Sequence, residues 1–66
     1  MQKGIVKWFH TERGYGFITG EDGQDIFVHW SDIVGEGYRS LEVGQSVVYV
    51  ISENEKGTIA TNVVVE

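Results

Sequence analysis

Along most of this chain apolar side chains recur at every second position, in short runs rich in Val, Ile, Thr and aromatics at residues 3 to 10, 15 to 20, 25 to 29, 45 to 53 and 58 to 65. A period of two is that of a strand with one face turned to a core. Between the runs lie Thr11-Glu12-Arg13-Gly14, Glu21-Asp22-Gly23-Gln24, the segment from Gly35 to Gly44, and Glu53-Asn54-Glu55-Lys56-Gly57. Each offers Gly, Asp or Asn where a turn needs positive φ. The pattern predicts five strands: a meander of three, a long connection, and a final hairpin. Trp30-Ser31-Asp32-Ile33 has a serine suited to capping one helical turn, but no window carries the 3.6-residue period of a longer amphipathic helix. Five short strands with two open edges would invite aggregation, so an all-β, closed or nearly closed antiparallel barrel is expected.

The same alternation sorts side chains by face. On the second strand Tyr15 and Phe17 fall on one side, Gly16 and Ile18 on the other; on the third, Phe27 and His29 oppose Ile26 and Val28. The turn between these strands is short enough to make the four rings neighbours. The aliphatic face is the natural core, and a chain of 66 residues has none to spare for a layer covering the other face. The rings are therefore expected at the surface, where clustered aromatics mark a binding site.

Composition narrows the classes. There is no cysteine, which excludes disulfides and thiolate metal sites, and His10 and His29 have no metal-binding spacing, so no metal and no cofactor is expected. No run approaches the length of a membrane span, and Met1-Gln2-Lys3-Gly4 leads straight into a strand without an apolar leader; a soluble, intracellular, single-domain protein without membrane contact follows as an expectation. The formal net charge of −5 argues against nucleic acid at first sight. Location answers it: acidic residues gather at 21, 22, 25, 32, 36, 53 and 55, whereas Lys7 and Arg13 flank the aromatic segments.

Bases suit such a surface, because every base has a π-face, and Lys7 and Arg13 can meet phosphates. Single strands are implied, since paired bases offer no free face. Some positions stay open. Trp8 falls by strict alternation with Val6, which looks like core, unless a bulge in the first strand turns it out. Phe9 suits core or rim equally. His29 reads as a surface polar residue or as a ring for a base, and Asp25 as an acceptor for a base edge. Gly14 and Gly16 read as turn and bulge glycines that also leave room for bases. The remaining acidic groups fall in turns, as solvated charge rather than catalytic pairs. A small-molecule substrate and an enzyme are not expected: there is no nucleophile elbow and no phosphate-cradling loop before a helix. The rival reading is an SH3-like peptide-binding module, since small barrels with aromatic grooves also hold polyproline.

Arg13-Gly14-Tyr15-Gly16-Phe17-Ile18 looks like the first ribonucleoprotein motif and Ile26-Phe27-Val28-His29-Trp30 like the second, on adjacent strands with only a turn between. With Gly4-Ile5-Val6-Lys7-Trp8-Phe9 before them and Gly35-Glu36-Gly37-Tyr38 after, the chain resembles the bacterial cold-shock proteins from end to end. The resemblance implies a five-stranded OB-fold-type barrel. It also implies a monomeric cytoplasmic RNA chaperone that binds single-stranded RNA and DNA, with a preference for pyrimidine-rich strands, and keeps messenger RNA from refolding in the cold-shock response. The binding residues it implies are Lys7, Trp8, Arg13, Tyr15, Phe17, Asp25, Phe27, His29, Trp30, Tyr38, Arg39 and Lys56. Two positions depart from the family pattern: Thr58 stands where a groove-lining proline is usual, and His10 where asparagine is common.

Overall fold

The computed structural model describes residues 1–35 and 40–66. Its five strands are β1 (Gln2–His10), β2 (Tyr15–Gly20), β3 (Asp25–His29), β4 (Ser46–Asn54) and β5 (Gly57–Val65), each within a residue of the run that predicts it. They close a barrel in the order β1-β2-β3-β5-β4. β1 is long enough to pair with two neighbours, β2 through Gly4 to His10 and β4 through Gln2 to Ile5. The meander and the final hairpin form as the pattern predicts.

Closure departs from the expected all-antiparallel arrangement. β3 meets β5 in parallel, Phe27 opposite Ile59 and Val28 opposite Ala60. The parallel bridge of Ile33 to Val63 continues this seam. A hairpin arriving from the far side of the barrel presents its second strand in whatever direction the crossover dictates, and here that direction is parallel to β3.

Among the described residues ten side chains make the core: Val6, Ile18, Ile26, Val28, Ile33, Leu41, Val47, Tyr49, Ala60 and Val63. The inward face of β2 and β3 is thus aliphatic, as the alternation requires. Phe9 packs partly buried against this cluster, which settles it on the core side. Burial pushes the Tyr49 phenol above its ordinary pKa, and the negative charges of Asp22 and Glu21 add to the effect.

Two irregularities set the surface geometry. Between Val6 and Trp8 the β1–β2 register slips by one residue, Val6 facing Ile18 and Trp8 facing Phe17, so Lys7 is the extra residue of a β-bulge. In β5 the register slips opposite Tyr49, where Asn62 takes φ 51°, a left-handed conformation that asparagine tolerates better than most residues. A single 3-10 turn, Trp30–Asp32, follows β3. Its cap is not Ser31: the His29 side chain accepts a hydrogen bond from the Ser31 backbone N–H at 3.3 Å, and Ser31 Oγ lies 2.8 Å from His29 Nδ1.

Candidate nucleic-acid interface

Register brings the rings together. Tyr15 lies opposite His29 and Phe17 opposite Phe27 across β2 and β3, while the bulge at Lys7 turns Trp8 out to meet Phe17 across β1 and β2. Trp8, Tyr15, Phe27 and Phe17 then form a closed circuit of ring contacts, with successive centroids 5.8, 5.9, 5.8 and 5.3 Å apart. Only Tyr15 and Phe27 are near coplanar, at 25°. The others are tilted or edge-on, arrangements that aromatic quadrupoles favour. Because each ring leans on its neighbours, Trp8, Tyr15, Phe17 and Phe27 are half-buried rather than fully exposed.

A second pair, His29 and Trp30, lies beyond this circuit with centroids 5.7 Å apart. Trp30 is 41% exposed. Gly14 fixes its position: the Trp30 backbone N–H donates to the Gly14 carbonyl at 2.8 Å, and a Cβ on Gly14, whose φ is 76°, would run into the indole. Gly16 serves close approach rather than φ, since a Cβ there would strike the Trp8 carbonyl oxygen and lie 2.7 Å from Phe9 Cα.

Between the rings and the β4–β5 turn the surface is hollowed. Two adjoining depressions of about 420 and 430 Å³ share Phe27, Asn54, Lys56 and Ile59 in their walls. His29 and Ser31 line one, and Phe17, Asp25 and Thr58 the other. Thr58 thus stands at the groove, with a hydroxyl where the family pattern has proline.

The polar residues divide. Lys7 Nζ is 2.6 Å from Asp25 Oδ2, and Asp25 Oδ1 accepts from the Thr19 hydroxyl at 3.1 Å. The hydrogen bond from Lys7 and then that from Thr19 hold the Asp25 carboxyl below its ordinary pKa, outweighing a small opposing effect of burial. Lys7 and Asp25, expected to meet phosphate and a base edge, are thus paired with each other in the ligand-free protein. The side chains of Arg13 and Lys56 are exposed and enter no ion pair among the described residues. Tyr38 and Arg39 lie outside the described residues. No group of three or more His, Cys, Asp or Glu that could hold a metal ion occurs among the described residues.

One ring beyond those expected from the sequence joins the platform. His10, at the end of β1, lies 5.0 Å from Trp8 and 5.8 Å from Tyr15. The signal was the bulge itself, since whatever turns Trp8 outward turns His10, two residues on, the same way.

Comparison with known proteins agrees with this geometry. Residues 2–66 match the 'Cold-shock' DNA-binding domain. The chain is 55% identical to cold shock protein CspB of Geobacillus stearothermophilus and 55% identical to cold shock protein CspD of Bacillus subtilis (strain 168), in each case covering 97% of both chains. Cold shock protein 1 of Lactiplantibacillus plantarum is 52% identical, again over 97% of both. A solved structure of drosophila Unr superposes with a TM-score of 0.79 over 98% of this chain and 26% of that one at 17% identity, a likeness of fold alone. A five-stranded barrel with outward rings on its β1-β2-β3 face and relatives matched end to end lead to one assignment: the chain belongs to the cold-shock DNA-binding domain family.

Proposed function

We infer that this nucleic-acid-binding protein holds single-stranded RNA and DNA by stacking bases on the Trp8, Tyr15, Phe17 and Phe27 platform. The strand continues over His29 and Trp30 and along the groove toward Lys56. The observation that carries the reading is the division of β2 and β3: Ile18, Ile26 and Val28 are buried while the rings between them are only half-buried. Stacking contributes roughly 1–3 kcal/mol per base and tolerates any sequence, so a few facets suffice without a basic surface. Arg13 and Lys56 meet phosphates, with Tyr38 and Arg39 as further contacts. Lys7 and Asp25 join only when their mutual pair opens.

A protein that captures unpaired bases holds RNA out of secondary structure, the work of a chaperone that binds without catalysis. Pyrimidine-rich strands are the preferred ligands, because their weaker self-stacking leaves bases freer for the platform. The protein acts as a cytoplasmic monomer. Titration of Trp8 and Trp30 emission with oligothymidine, a duplex of equal length and a proline-rich peptide tests the reading: the single strand is expected to bind far more tightly than the other two. Preference for the duplex or the peptide would overturn it.

A further inference from the structure

His10 closes β1, its carbonyl accepting from the Gly14 N–H at 2.7 Å to fasten the β1–β2 turn. Its backbone is therefore committed to the fold. Its side chain is exposed and makes no hydrogen bond or ion pair among the described residues, its contacts being with the rings of Trp8 and Tyr15. The imidazole is inclined 69° to Trp8 and 55° to Tyr15, and those two are inclined 73° to each other. Rings at such angles do not merge into one flat surface. A base lying flat on one cannot also lie flat on the next.

From this arrangement we propose that His10 is a further base-stacking position, extending the platform by one nucleotide past Trp8 and Tyr15 at the β1–β2 turn. The ligand class is a single-stranded nucleic acid long enough to reach beyond those two rings, and the inference rests on the single-strand reading above. A flat imidazole takes a base as other aromatic side chains do. The position adds reach, so its effect depends on ligand length. A histidine that merely propped the Trp8 indole would act at every length alike.

The test is a ladder of oligothymidines lengthened one nucleotide at a time, titrated against the wild-type protein, His10→Ala and His10→Phe, with thermal melts showing that all three are folded. The expected result is unchanged affinity of His10→Ala for the short members and a loss of roughly 5- to 150-fold for those long enough to reach the extra facet. The gain with length should also stop one nucleotide sooner, and His10→Phe should restore the wild-type profile. Equal loss at every length would make His10 a prop for Trp8, and identical binding by His10→Ala throughout would leave it no role; either overturns the proposal. So would a loss that phenylalanine does not restore, since the contact would then be polar. Failure of the wild-type protein to bind any member would instead remove the single-strand reading itself.

Discussion

At the scale of single residues, the pairing of Lys7 with Asp25 is the feature whose behaviour is most readily followed. Asp25 titrates below an ordinary aspartate because Lys7, and secondarily Thr19, hydrogen-bond its charged form. A carboxyl lowered in this way adds stability that is present above its unfolded-state pKa and is lost as pH falls through the lower folded value, so the contribution disappears only in acid. The carboxyl resonance of Asp25, followed by NMR, should have a midpoint below the ordinary aspartate value, and Lys7→Ala should raise that midpoint. Equal midpoints in the two proteins would mean that the pair does not persist in solution. Neighbouring substitutions on β2 should act on different properties. Phe17→Ala removes a facet and is expected to weaken single-strand binding by roughly 1–3 kcal/mol with the fold retained. Ile18→Ala, at a fully buried position, should cost about 2–5 kcal/mol of stability. Melts and titrations of both variants check the assignment of faces, and a Phe17→Ala protein that unfolds while an Ile18→Ala protein stays stable would reverse it.

At the scale of elements, the two bulges carry the geometry that alternation alone does not. The β5 bulge places Asn62, an exposed residue, at φ 51°. A β-branched side chain in that conformation costs roughly 1–2 kcal/mol, whereas glycine is at ease there. Asn62→Val should therefore lower the urea midpoint and Asn62→Gly should hold or raise it; a reversed order would mean the bulge is not formed. The bulges also mark where the sequence stopped being legible. Tyr15, Phe17, Phe27 and His29 could be assigned to one face because β2 and β3 keep a strict period of two from end to end. Trp8 could not, because its side depends on the extra residue at Lys7. That slip is held by contacts outside the strand: Val6 N–H donates to the Gln45 carbonyl, and the Val6 carbonyl accepts from Gly44 N–H, both at 2.9 Å. No local pattern in β1 encodes those partners, and His10 stayed unassigned for the same reason. The Lys7–Asp25 pair was hidden too, since it joins residues 18 apart on different strands and depends on the register of both. The parallel meeting of β3 and β5 is a property of the crossover, which has no periodic signature.

At the scale of the whole molecule, a chain of net charge −5 that binds nucleic acid must rely little on long-range attraction. For single strands the logarithm of affinity falls with the logarithm of salt by about 0.7 per phosphate neutralised, so two to three contacts, Arg13 and Lys56 among them, give a slope of roughly −1.4 to −2.1. Asp25→Asn, which releases Lys7, should steepen the slope by about one such step, while Phe27→Ala should lower affinity at every salt concentration and leave the slope nearly unchanged. Titrations between low and physiological salt check both. A wild-type slope of about −4 or steeper would place phosphate attraction ahead of stacking and would rule out the platform as the main source of affinity.

The parallel seam gives the barrel an order of opening. The two strands are joined there through only two opposed residue pairs, and both strands are held more extensively on their other sides by antiparallel hairpins. Regions with few pairings open at lower free energy than the rest of a fold, so backbone amides along this line should exchange with solvent sooner than those in the middle of the β1–β2 ladder. Loop-closure entropy delays both of the barrel's non-local seams, β3–β5 and β1–β4, so the local hairpins are expected to form before either. Phe27 stands on the seam as well as on the platform. A base resting on its ring favours the closed barrel, so a bound strand should slow exchange at Phe27, Val28, Ile59 and Ala60 more than at Ile18 or Val6. A bound strand should thereby act as a clasp on this sparsely paired edge, and resistance to unfolding should be greatest while the strand is held.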